Sequence, residues 1–248
     1  MPVGVKNANI TKEVFNKVIT DVETIYVPIV SAKGGKLVVN RNWDDGTVNA
    51  YASRSGNTWN VAMFGGLARH ETVTPDGFAL VVCHELGHHI GGAPKIRYNT
   101  WASNEGQSDY FSSLKCLRRY FEFDDNVAVV AALNVPVAVQ KACDEAHPNI
   151  LDAAICKRSA MAGKSVGDLF VALSRGRAIE FSTPDRTVVT RTNDAHPAAQ
   201  CRLDTYFAGA LCEVDKEEDV SNTNVNTGTC TTANGQKIGL RPLCWYKP

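Results

Sequence analysis

Residues 83–92 read Cys83-His84-Glu85-Leu86-Gly87-His88-His89-Ile90-Gly91-Gly92, and the spacing of two histidines in this stretch decides how the rest of the chain is read. Ahead of it runs the apolar Gly77-Phe-Ala-Leu-Val-Val-Cys83, and Gly91-Gly92 supplies a stop. The sequence therefore predicts an apolar helix that ends just past the motif. Positions four apart share one helix face, so the imidazoles of His84 and His88 can converge on one metal ion, with Glu85 about a quarter turn away. Neutral imidazole nitrogens suit one Zn2+ at roughly 2.0–2.1 Å, and a catalytic site keeps one coordination position for water. The pattern is H-E-x-x-H, two ligands beside a general base, as zinc peptidases carry it.

Such a site needs a third protein ligand. A histidine at position 94 would supply it in the metzincin arrangement, but this chain has Pro94 there. The next candidate is Ala102-Ser-Asn-Glu-Gly-Gln-Ser-Asp109, which begins an amphipathic run from Glu105 to Phe121 with apolar positions at Tyr110, Phe111, Leu114, Leu117, Tyr120 and Phe121. Glu105 and Asp109 lie four apart on that helix face. Glu105 can ligate the metal while Asp109 accepts the outer N–H of a ligand histidine. The plainer alternative is that both acids only favour the first turn of a helix. Asp109 and Glu122 stay open as substitutes for Glu105.

Taken together, H-E-x-x-H followed by Asn104-Glu105-x-x-Ser108-Asp109 resembles the gluzincins, the class of thermolysin. The resemblance implies His84, His88 and Glu105 as zinc ligands, Glu85 as base and Asp109 as the group that orients a ligand. Two further stretches look more like the HtpX, CAAX-prenyl-protease and BepA type. One is Val48-Asn-Ala-Tyr-Ala52 with Met63-Phe-Gly-Gly-Leu67; the other is His196-Pro197 with Arg202 six residues after His196. Residues 89–104 separate His88 from Glu105, a shorter interval than the resemblance leads one to expect. The implied fold is α+β and zincin-like, a small antiparallel or mixed sheet with a zinc helix and then a mainly helical part. The implied activity is hydrolysis of a peptide or unfolded protein by a water that Glu85 deprotonates. His196 would stabilise the developing oxyanion, or swing onto the zinc in an inhibited state, and Arg202 would hold substrate or active-site carboxylates.

Composition limits the remaining possibilities. With 248 residues and 44% hydrophobic content the chain can bury one substantial core. We expect one domain over 1–248, with sheet and zinc helix over about 1–92, helices over about 101–212 and a disulfide-tied polar tail over 213–248. Lys plus Arg and Asp plus Glu are equal at 26 each, so no basic excess recommends nucleic acid or an anionic membrane as partner. No apolar run approaches the ~18 residues of a membrane span. The even set of eight cysteines, without a C-x-x-C, favours disulfides and a periplasmic or secreted protein. Among about a hundred possible pairings, Cys230 with Cys244 is the first guess, while Cys201 and Cys212 share a helix too far apart to pair. The first residues, Met1 to Lys6, lack the apolar core of a signal peptide.

In chain order, a helical stripe runs from Thr11, a plausible cap, to Tyr26. Residues 36–42, 47–54 and 58–64 read as short antiparallel strands. By the resemblance the last of these would be the edge strand above the cleft, on which an extended substrate pairs. Pro136 should divide an apolar run over 127–142, and Leu151–Ala162 and Val166–Ser174 read as two helices. Ala178–Thr190 reads as a β-hairpin turning at Thr183-Pro-Asp-Arg186. Pro197 suits the first turn of a helix that Asp194 could cap, which places His196 at the helix mouth. His70, His89 and His147 have no comparable partners and read as structural or exposed. A different class of function also fits these features, a zinc-stabilised latent or inactive binding module whose cleft is closed by its own loop over 91–104 or by its tail.

Overall fold

The computed structural model describes Met1 and residues 9–248, so most of the N-terminal stretch read above lies outside the described residues. The architecture is α+β. Helix α1 (Lys12–Ala32) starts where Thr11 Oγ1 accepts from the backbone of Val14, and it buries Phe15, Val18, Ile19, Val22, Tyr26 and Val30. It runs six residues past Tyr26, through Pro28. The burial of Val30 on the same stripe outweighs the one backbone hydrogen bond that proline removes.

Strands β1 (Lys36–Asn42), β2 (Ala50–Ser55) and β3 (Thr58–Phe64) follow as expected in position but not in arrangement. The sheet order is β1-β3-β2, with β1 parallel to β3 and β2 antiparallel to it. A tight turn with Gly56 at a φ of 56° joins β2 to β3. Thr58–Phe64 is thus the central strand and not an edge; β1 and β2 are the edges. Val61, Ala62 and Met63 form a continuous buried run, and a strand covered on both faces does not alternate.

After a single turn, α2 (Gly65–Ala68), comes α3 (Pro75–Ile90), capped by Thr74 Oγ1 on the backbone of Gly77 at 3.0 Å, with Pro75 in its first turn. Every residue from Gly77 to Ile90 is buried. A two-stranded ribbon, β4 (Lys95–Ile96) and β5 (Asn99–Ser103), leads to α4 (Glu105–Phe111), which continues through a π-helical segment, Ser112–Cys116, into α5 (Leu117–Tyr120). The predicted helix over 105–121 therefore exists but carries one wider turn.

Pro136 separates α6 (Asn126–Ala131) from α7 (Val137–Ala146). The two helices expected over 151–174 are one, α8 (Ile150–Ser174). Gly163 does not break it, because that glycine lets Tyr206 of the next helix approach: a Cβ there would meet Tyr206 Cβ at 2.8 Å. Residues 178–190 form no hairpin. Their backbone bonds go elsewhere, from Glu180 to Gln200 Oε1 at 3.0 Å, from Asp185 to Asp204 Oδ2 at 2.7 Å and from Val189 to the carbonyl of Leu243 at 3.0 Å. Helix α9 (Ala199–Leu211) starts two residues beyond Pro197 with no side-chain cap, and Asp194 is used differently.

The main core joins α1, β3, α3, α5 and α8, so the sheet-bearing part and the helical part share one interior. Four disulfides link Cys83 to Cys116, Cys143 to Cys156, Cys201 to Cys244 and Cys212 to Cys230. Cys230 and Cys244 therefore do not pair with each other. Each instead ties the polar tail to an end of α9. Among the described residues no helix is long and apolar enough to cross a membrane, and four disulfides fit a secreted or extracellular protein.

The Cys201–Cys244 bridge, at a separation of 43 residues, holds Trp245 where its indole fills the space above Gly106, next to Glu105. Closing a loop of that size restricts the unfolded chain by about 4 kcal/mol. Replacing both cysteines by serine should lower unfolding stability by roughly that amount in denaturant titration.

Candidate metal centre

Helices α3 and α4 bring three ligand atoms together. The Nε2 of His84 lies 3.3 Å from Glu105 Oε2, and the Nε2 of His88 lies 3.7 Å from Glu105 Oε1. The ligating atoms of all three residues lie within 4.8 Å of one another. Tetrahedral ligands at 2.0–2.1 Å from a common ion stand about 3.3–3.4 Å apart, so this spacing fits a small cation such as zinc. Glu105 Oε2 is buried; His84 Nε2 and His196 Nε2 approach it to 3.3 and 3.2 Å without good hydrogen-bond alignment, which suits three groups converging on a common ion.

The other nitrogen of each histidine is committed. His84 Nδ1 lies 2.7 Å from Asp109 Oδ1, close although bent away from ideal hydrogen-bond geometry. His88 Nδ1 faces the carbonyl of Ser103 at 2.9 Å and Ser108 Oγ at 3.1 Å. Both acceptors favour a proton on Nδ1 and leave Nε2 for the ion. Helix α3 can come this close to α4 because Gly87 faces the Ser108 backbone, where a Cβ would meet Ser108 Cα at 3.0 Å.

Arg202 of α9 donates from Nε and Nη2 to the two oxygens of Asp109, at 2.8 and 2.6 Å, and is 4% exposed. Its guanidinium is thereby spent on Asp109 and stacked over Phe170, with the ring centroid 4.0 Å away. Of the two roles expected for Arg202, the arrangement matches the one at an active-site carboxylate: it holds Asp109, and through it positions His84. The alternatives to Glu105 are placed elsewhere: Asp109 lies between Arg202 and His84, and Glu122 pairs with Lys216 at 3.1 Å.

Burial pushes the Glu85 carboxyl up to about 7, against the pull of the neighbouring His84 charge. His84 rises to about 10: burial opposes this, and the carboxylates of Asp109 and Glu105 outweigh it. Burial pushes His88 down to about 4. Burial also works against ionised Glu105, yet its contacts with His84 hold it well below the usual carboxylate range.

His196 sits on the loop before α9 with its side chain 70% exposed and Nε2 3.2 Å from Glu105 Oε2. Sequence reasoning missed what puts it there. Asn104 caps α4 through Gln107, and its amide reaches the carbonyl of Asn193 at 3.2 Å and Asp194 Oδ1 at 3.3 Å, drawing that loop to the start of α4. Tyr206, buried against Asp109 and Arg202, was missed as well. Its only sequence signal is its place one turn after Arg202.

The centre opens into a cleft of about 330 Å³ whose walls include Ala50, Ala52, Trp101 and His196. A narrower apolar recess, lined by Leu67, Val81, Leu169 and Phe170 among others, opens beside Glu85. The stretch 91–104 forms a wall of the cleft through Ile96, Trp101 and Ala102 and does not fill it. No family model, no curated protein and no solved structure matches the chain.

An Asp109→Asn protein should bind zinc roughly 10–100-fold more weakly in chelator competition. It should also lose about 3–5 kcal/mol of stability, because Arg202 is left buried without its counter-charge.

Proposed function

We propose that this chain is a zinc-dependent endopeptidase of gluzincin type. The observation that carries this reading is the convergence of His84 Nε2, His88 Nε2 and the Glu105 carboxylate, with Glu85 next to the first ligand on the same buried helix. Bound there, zinc would supply Lewis acidity to a water and to the scissile carbonyl. Glu85 would take the proton from the attacking water and return it to the leaving amine. Glu85 lines both the cleft and the apolar recess. His196, at the rim, can donate to the oxygen on which charge develops. Asp109, held by Arg202, keeps the His84 ring in one orientation.

Substrate chemistry follows from β2. Its outer edge has no strand partner among the described residues, and Ala50 and Ala52 form a wall of the cleft. An extended backbone can add to such an edge, which favours unfolded or flexible peptide segments. The disulfides favour a periplasmic or extracellular place of action.

The approach of His196 to Glu105 supports a second reading, a latent site in which His196 completes the ligand set. Two variants separate the readings. Glu85→Gln should retain one zinc per chain and lose about 10²–10⁴-fold of its cleavage of a reduced, alkylated protein. An active, zinc-loaded Glu85→Gln protein would end the assignment. His196→Ala should lower kcat by about 10²–10³-fold with little change in KM; a rise in activity would instead identify His196 as the closing ligand.

A further inference from the structure

The face of α3 turned away from the metal ligands carries a second constellation. His89 is 3% exposed and is stacked between Trp59 and Trp101, with ring centroids 5.5 and 5.0 Å apart. Arg54, on the edge strand β2, lies over the Trp59 ring at 3.8 Å and bonds to His89 through Nε and Nη2. That leaves Nη1 without a protein acceptor among the described residues. Lys95 gives hydrogen bonds to the carbonyl of Trp101 and to Ser103 Oγ, at 3.2 and 3.4 Å, and keeps a third donor. These groups and Lys33 surround an open cavity of about 420 Å³.

Its charge is unbalanced. Among the described residues no carboxylate is in ion-pair contact with Arg54 or Lys95, while Lys33 pairs with the exposed Asp219 at 2.9 Å. Two half-buried cations sharing one cavity repel each other, and Lys95 is pushed down to about 8 by its burial and by Arg54. An arrangement that costs stability in the free protein is compensated when an anion enters. Indole walls add a preference for an anion carried on an apolar stem.

The position of this cavity selects the anion. Trp101 lines both it and the metal cleft, and β2 runs from one to the other. Arg54 stands four residues along β2 from Ala50, about 13 Å at the rise of an extended strand. A peptide paired on the β2 edge would reach the cavity two to four residues from the bond nearest Glu85.

We infer that the Arg54–Lys95 cavity is a carboxylate-binding subsite for an extended peptide lying in the metal cleft, taking either an Asp or Glu side chain or the C-terminal carboxylate. This rests on the peptidase reading for the course of the chain, but the anion site has its own test. Zinc-loaded Glu85→Gln protein is titrated by calorimetry with three kinds of N-terminally blocked decapeptide. The first carries one Glu walked through its positions and an amidated C-terminus, the second has Gln in place of Glu and a free C-terminus, and the third has Gln and an amidated C-terminus.

One of the first two should bind at least about tenfold more tightly than the third, and which one does so names the source of the carboxylate. Arg54→Gln and Lys95→Met, each introduced into the Glu85→Gln protein, should remove that difference and leave affinity for the third peptide unchanged; Lys95→Met serves if Arg54→Gln is poorly folded. Equal binding of all three kinds, or a preference that survives both changes, overturns the subsite. The failures are distinguishable: wild type that cleaves all three peptides without preference keeps the peptidase and loses the subsite. A preference lost in the variants, with no cleavage by wild type, keeps the subsite and loses the peptidase.

Discussion

The buried carboxylate of Asp109 ties the site to the fold. It stands on α4, accepts two hydrogen bonds from Arg202 of α9 and faces the outer nitrogen of His84 on α3. Three helices, one of them distant in sequence from the other two, are therefore fixed to one pair of oxygen atoms. A buried ion pair of this kind contributes little net stability against an apolar replacement, but its geometry is stringent, because either partner left alone is an uncompensated charge. Small residues make the geometry possible. Gly87 lets α3 meet α4 at Ser108, and Gly209 lets α9 meet the same helix, where a Cβ would stand 2.6 Å from the carbonyl of Tyr110. Larger side chains would push apart the backbones whose polar groups must meet.

The disulfides reinforce the same points. Cys83 precedes His84 and is bonded to Cys116 in the π-helical segment; Cys201 precedes Arg202 and is bonded to Cys244 in the tail. Each bridge fixes the backbone one residue from a member of the His84–Asp109–Arg202 chain. The tail is thereby built into the site's support, and it adds Arg241, whose Nε donates to Gln107 Oε1 at 2.7 Å within the first turn of α4. A polar segment with little apolar content gains order from these crosslinks where its own burial would not suffice.

What could be read from the sequence follows from how local each feature is. His84, Glu85 and His88, and likewise Glu105 and Asp109, are related by helical periodicity, which depends on neighbours within one turn. The position of His196 depends on Asn104 reaching Asn193 and Asp194 across the chain, and no periodicity carries that information. Punctuation by Gly and Asn marks turns without saying which strand lies between the others, so it leaves the sheet order open; the unbroken apolar run Val61-Ala62-Met63 is the better guide. Residues 178–190 have strand-like composition but meet the acceptors of α9 and the tail, so propensity was overridden by tertiary contacts. Cysteine pairing is purely spatial and was not legible.

Helix α3 is covered on every side from Gly77 to Ile90, so it has no solvent face to leave idle. One side presents His84 and His88 to Glu105, while the next residue, His89, is held between two indoles on another. That enclosure holds the two imidazoles rigidly, as a metal centre would require, since each ring is oriented by an acceptor that is itself held in place. It also accounts for the neighbouring aromatic stack. A polar side chain next to a ligand cannot turn to water here, and burial drives the His89 ring down to about 4, so it packs in its neutral form. Arg54 then closes the stack from β2, which joins that edge strand to the helix that carries His84 and His88.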